Sequence, residues 1–129
     1  MLTVGSVVLG VSDVPRAMRF WGEALGYVPR DEPEPDWGVL RPPEGTAGPN
    51  ISLGTSRTPP QDKPRVHLDL YTRTPDAEIA RLVGLGATRV DWADYPPDAD
   101  FTVLADPEGN RFCVIDTSAD TSGDTSGSP

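Results

Sequence analysis
Apolar residues recur along the chain in two rhythms, and the order of those rhythms repeats. Residues 3–11 are apolar and β-branched, which predicts a strand. Val14, Met18, Trp21 and Leu25 follow at i, i+4, i+7 and i+11, one face of a helix. Ser12 and Asp13 offer N-cap oxygens, Pro15 suits the first turn, and Gly26 stands where a C-cap belongs. A short strand at 27–30, a loop at 32–35, a strand at 36–41, a turn at 42–45 and a strand at 50–54 complete the first set. Residues 55–64 are polar, carry three prolines and read as a linker.

The plan then starts again. Residues 65–71 alternate, with Val66, Leu68 and Leu70 on one face and His67, Asp69 and Tyr71 on the other. Thr74 as cap and Pro75 at the first position open a second helix. Ile79, Leu82 and Val83 give it an apolar face, and Leu85-Gly86 ends it as Leu25-Gly26 ends the first. A strand at 88–92, a loop at 93–99 and strands at 101–105 and 111–115 follow. Between the last two, Asp106, Pro107 and Gly109 suit positions i, i+1 and i+3 of a type I turn. Residues 39–45 match residues 103–109 at five of seven positions.

Two halves therefore share the order βαβββ at an offset of about 60 residues. A half of that size buries its own sheet poorly. Pairing the two sheets leaves their uncovered faces to line a cleft, a natural small-molecule site. The expected fold class is α+β: two tandem βαβββ modules forming curved mixed sheets around a ligand cleft. The expected divisions are a first module at 1–54, a linker at 55–64, a second module at 65–116 and a polar low-complexity tail at 117–129.

Composition narrows the partners. A net charge of −9 over 129 residues argues against a nucleic-acid partner, which needs a basic face; it is compatible with a cationic ligand, and its plainer reading is an acidic soluble surface. Cys113 is the only cysteine, so no intrachain disulfide forms and a reducing compartment is expected. No apolar run approaches the ~18 residues of a membrane span, and the N-terminus lacks a signal-peptide pattern. The expected location is cytoplasmic. There is no phosphate-binding loop, dinucleotide fingerprint or Cys-x-x-Cys pair.

A duplicated βαβββ unit resembles the vicinal oxygen chelate superfamily of glyoxalase I, bleomycin-resistance proteins and extradiol dioxygenases. The carriers of the resemblance are Val11-Ser12-Asp13 before the helix, Phe20-Trp21, Leu25-Gly26-Tyr27 and Asp106-Pro107-Glu108-Gly109-Asn110. It covers residues 3–116. The resemblance implies metal ligands on the first and last strands of each half. Those positions here are Ser6, Ser52, His67 and Cys113, of which only His67 is a standard match. In metal enzymes of this type a carboxylate is expected where Cys113 stands.

Each candidate group has a plain reading and a chemical one. His67 is the single histidine; with Asp69 and Cys113 it makes at best an improvised metal site, because Ser6 and Ser52 are poor ligands. Cys113 and His67 as a nucleophile pair lack an orienting third group. Asp106 and Glu108 belong to turn chemistry. Trp37 and Phe101, 64 residues apart, occupy equivalent places in the halves, and Trp92 and Tyr95 flank the loop before the last hairpin. Such aromatics stack on flat ligands or pack in a core, whereas Trp21 on its helix face is core.

The expected function is metal-independent binding of an aromatic drug or natural product, with sequestration as the mechanism. It uses no catalytic residue, no metal and no cofactor. The expected ligand-binding residues are Ser6, Trp37, Asn50, Ser52, His67, Asp69, Trp92, Phe101 and Cys113. The alternative is a divalent-metal-dependent lyase, isomerase or dioxygenase of the same fold. The ten-residue linker lets the halves pair within a chain or between two, and a homodimer is expected.

Overall fold
A strand forms only where a second strand lies beside it, and that rule sets the observed boundaries. The computed structural model describes residues 1–119. The expected tail at 117–129 therefore lies, from residue 120 on, outside the described residues. Strand β1 (Ser6–Val11) runs parallel to β4 (Asn50–Thr55), with Ser6 opposite Asn50. The Asn50 N–H still bonds the Gly5 carbonyl at 2.9 Å, but Asn50 is the first residue of β4, so β1 starts later than its apolar pattern. In the second half the strand also starts late, although there its partner reaches further back. Strand β5 (Asp69–Thr72) runs parallel to β8 (Arg111–Asp116) with Asp69 opposite Cys113. Residue 67 is thus level with Arg111, where β8 begins. His67 stands just before the strand, not inside it.

Between these strands lie α1 (Val14–Leu25), β2 (Val28–Pro29) and β3 (Trp37–Arg41) in the first half. The second half has α2 (Pro75–Leu85), β6 (Thr88–Arg89) and β7 (Phe101–Ala105). The sheet orders are β1-β4-β3-β2 and β5-β8-β7-β6, each mixed and each four-stranded. The fold is α+β with two βαβββ modules. The chain divides into two units, residues 1–59 and residues from 60 onward. Among the described residues no helix is long and apolar enough to cross a membrane.

Helix α1 begins as its sequence dictates. The Asp13 carboxylate accepts the Arg16 N–H at 3.0 Å, and the Gly26 N–H closes the far end on the Gly22 carbonyl. Val14, Ala17, Met18, Phe20 and Trp21 are buried. They cover the face of the first sheet that carries Gly38 and Leu40, since Met18 lies against Gly38 and Gly22 against Leu40. Helix α2 is capped differently from expectation. The Thr74 side chain makes no cap bond; its N–H and hydroxyl turn back to the Thr72 hydroxyl, at 3.0 and 3.4 Å. Asp76 and Glu78 in the first turn complement the helix dipole instead. Ile79 and Leu82 are buried, while Val83 faces outward.

The two hairpin turns differ by one residue despite their shared sequence. Gly109 N–H bonds the Asp106 carbonyl at 2.9 Å, with Gly109 last in the turn. In the first half Thr46 N–H bonds the Pro43 carbonyl at 3.0 Å, which places Gly45 third, with φ 80°. A third position with positive φ is what a type II turn asks of glycine. The cause is chemical. The Asp106 carboxylate accepts the N–H groups of Glu108 and Asn110 at 2.9 and 2.8 Å. Pro42 at the matching place has no side-chain oxygen to do so.

Candidate functional site
Period-two alternation decides which side chains leave the helix side. In the first half, Trp37 pairs with Gly54, Val39 with Ser52, and Ser6 with Asn50. Ser6, Asn50, Ser52 and Trp37 therefore share the face opposite α1. In the second half Phe101 pairs with Ile115 and Val103 with Cys113. His67, Asp69, Cys113 and Phe101 share the corresponding face, and Trp92 packs against it. All nine expected site residues thus lie on or against one face of their own sheet, which in the first half is the face opposite α1.

The register also aligns the halves residue by residue. Val8 pairs with Ser52 as Asp69 pairs with Cys113, an offset of 61 in both strands (69 − 8 and 113 − 52). Ser6 and Ser52 are therefore the counterparts of His67 and Cys113. The two serine hydroxyls are bonded to each other at 2.6 Å. Trp37 lies across Gly54, whose missing side chain makes room: an added Cβ would sit 3.1 Å from the ring. Trp37 keeps 41 % of its surface exposed.

The second half is built differently on the same frame. His67 Nε2 lies 3.0 Å from Asp69 Oδ1, and donor atoms of His67, Asp69 and Cys113 fall within 4.8 Å of one another. Cys113 is only 2 % exposed. It belongs to a packed cluster with Phe101, Val103 and Ile115, against which Val90 and Trp92 rest. Burial, and then the neighbouring Asp69 carboxylate, push the Cys113 thiol from 9.0 up to about 12. The thiol stays neutral at pH 7, so it is not a ready nucleophile. Serine hydroxyls are poor donors to divalent ions, so the serine pair of the first half is a weak ligand set.

A stability prediction follows from the thiol. Unfolding returns it to its ordinary range, so between pH 9 and 12 the unfolded chain holds fewer protons and stability falls as pH rises. In denaturant melts with chelator present, wild type should lose about 1–2 kcal/mol more than Cys113→Ala between pH ~9 and pH ~10.5. Parallel losses in the two proteins would contradict a buried, raised thiol.

Beside this cluster lies a cavity of about 180 Å³, lined by Lys63, Pro64, His67, Trp92, Val103, Arg111, Phe112 and Cys113. It is a little larger than the ~150 Å³ apolar cavity that takes one benzene. Its wall depends on how β6 ends. Only Thr88 and Arg89 pair with β7. Val90 still donates to the Val103 carbonyl at 3.3 Å, and then the chain leaves the sheet. The Val103 N–H, on the same strand edge, donates to the Tyr95 hydroxyl at 2.8 Å instead. Tyr95 also rests on Phe101, ring centres 5.2 Å apart. Tyr95 therefore anchors the 93–99 loop, which keeps Trp92 at the cavity. The Lys63 ammonium sits 5.8 Å from the Trp92 ring centre. The Trp92 indole N–H is buried without an acceptor among the described residues, a condition that costs about 1–3 kcal/mol.

Of the expected site residues, His67, Trp92 and Cys113 line this cavity and Asp69 adjoins it through His67. Phe101 is in the packed cluster and not on the cavity wall. Ser6, Trp37, Asn50 and Ser52 lie in the other unit. Lining residues absent from the sequence expectation include Lys63, Val103 and Arg111. Two of these were findable: Arg111 stands two residues before Cys113 and Val103 two after Phe101, hence on the same faces. Lys63 carried no pattern, since it comes from the linker.

Comparison with known proteins agrees with this architecture. Residues 6–115 match the family described as glyoxalase-like domain. Curated proteins offer no match. A glyoxalase-related enzyme from Fulvimarina pelagi is similar at TM-score 0.65 and 22 % identity, over 89 % of this chain and 88 % of that one. A glyoxalase/bleomycin resistance protein/dioxygenase family enzyme from Burkholderia phytofirmans gives TM-score 0.69 at 17 % identity, over 89 % and 98 %. A superfamily member of the same description from Sphaerobacter thermophilus gives 0.61 at 25 %, over 90 % and 98 %.

Proposed function
The chain belongs to the glyoxalase-like domain family of the vicinal oxygen chelate superfamily, and on that premise we propose that it binds an aromatic small molecule without a metal. One ring of the ligand enters the cavity of the second half and stacks on Trp92. The mechanism is sequestration: a drug or natural product is held and no bond is made or broken. The observation that carries this reading is the cavity itself, sized for one ring and walled by Trp92, Val103 and Phe112. The donor chemistry supports the metal-free part. Two serines spend their hydroxyls on each other, and a neutral thiol stands where a carboxylate is needed. Homodimerisation belongs to the same reading.

A screen of single-ring and fused aromatic compounds against chelator-treated protein tests this. Binding is expected with dissociation constants of about 1–100 μM, and unchanged by added Zn²⁺. Light scattering on the same samples should give twice the chain mass. Failure of every compound to bind overturns the reading.

A second reading rests on one observation, the convergence of His67, Asp69 and Cys113 donors within 4.8 Å. That trio could hold Zn²⁺ if the thiol gave up its proton on binding. Stoichiometric metal in the purified protein, lost in His67→Ala, would favour this reading over the first.

A further inference from the structure
The charges around the cavity say what kind of ring it takes. We propose that the ligand is a small aromatic anion, a ring carrying a carboxylate or a similar planar acceptor, with that group beside Lys63 and Arg111 and its ring against Trp92. This rests on the binding reading above and names its ligand class. Two observations converge. The charged side chains that line the cavity are cationic, Lys63 and Arg111, and no lining residue is acidic. Their acidic partners stand outside in solvent. Lys63 Nζ lies 2.8 Å from Asp94, and Arg111 donates to the Asp62 carbonyl at 2.8 Å and lies 3.4 Å from its carboxylate. Asp62 is 93 % exposed and Asp94 59 %, so both pairs are exposed on the carboxylate side and readily exchanged. A ligand carboxylate can take their place beside a guanidinium that favours planar acceptors.

Benzoate, benzamide and benzamidinium differ in charge and hardly in shape, so the three decide the matter. They are titrated into the full-length, chelator-treated protein by calorimetry and by following the Trp92 indole N–H signal. Benzoate should bind at least about tenfold more tightly than benzamide, and benzamidinium not detectably. The indole signal should move with benzoate. Lys63→Gln and Arg111→Gln should each weaken benzoate by about three- to tenfold, and by more than they weaken benzamide. If either variant is unfolded, the wild-type indole signal decides. Benzamide binding as tightly as benzoate, or benzamidinium binding best, overturns the anion and leaves the aromatic-binding reading standing. If none of the three binds and the wider aromatic screen is also blank, both fall. If the screen succeeds and these three fail, only the anion falls.

Discussion

Trp21→Ala is expected to lower the unfolding free energy by about 3–5 kcal/mol, the largest single-residue effect in the first half. Trp21 keeps 1 % of its surface and sits on α1 beside Phe20, which keeps 3 %. The two rings meet edge to face, centres 5.1 Å apart. Removing the indole takes away its transfer free energy and leaves a void that helix and sheet can only partly close. A domain of this size is stable by only about 5–15 kcal/mol, so roughly a fifth or more of the margin goes. Urea unfolding with an unchanged slope measures it. A loss below about 1.5 kcal/mol would contradict the placement of Trp21 in the core, since that is the scale of far gentler substitutions.

Asp106→Ala is expected to cost about 2–4 kcal/mol, and Asp106→Asn only about 1 kcal/mol. The side chain is 3 % exposed, and one oxygen, Oδ1, accepts both the Glu108 and the Asn110 N–H groups. Alanine strands two backbone donors in a buried turn. Asparagine keeps an oxygen in the same place and loses only the charge. Equal losses for the two variants would show that the negative charge matters and the turn bonds do not. The site should feel this variant too, because β8 begins at Arg111 directly after the turn and carries Cys113 two residues further on.

The repeat made the fold legible. Matching turns, matching helix ends and two periodicities in one order were enough for two βαβββ modules. Strand starts were not legible, because side-chain pattern marks which residues share a face and says nothing about where the backbone ladder begins. Residues 3–5 continue an apolar, β-branched run and residues 65–68 alternate, yet both lie outside β1 and β5. The Thr74 cap failed for a related reason: a threonine two residues earlier offered a competing hydroxyl. In the site, the faces of His67, Asp69 and Cys113 could be read from spacing. The role of Tyr95 could not, since it depends on β6 stopping after two residues and leaving the Val103 N–H to be claimed.

The same contrast separates the halves functionally. Equivalent positions hold a bonded serine pair in one half and an imidazole and a neutral thiol in the other, where Asp69 stands at the place of Val8. Neither half has a carboxylate at the last-strand position that Ser52 and Cys113 occupy. What the second half offers instead is a ring-sized cavity with an aromatic wall. The most direct test is a chemical-shift titration of chelator-treated, isotope-labelled protein with its tightest aromatic ligand. Saturable shifts at the Trp92 indole and at the Val103 and Cys113 amides, without metal, are the predicted result. Shifts that appear only after one equivalent of a divalent metal is added, or that leave these three residues untouched, would contradict metal-free binding in this cavity.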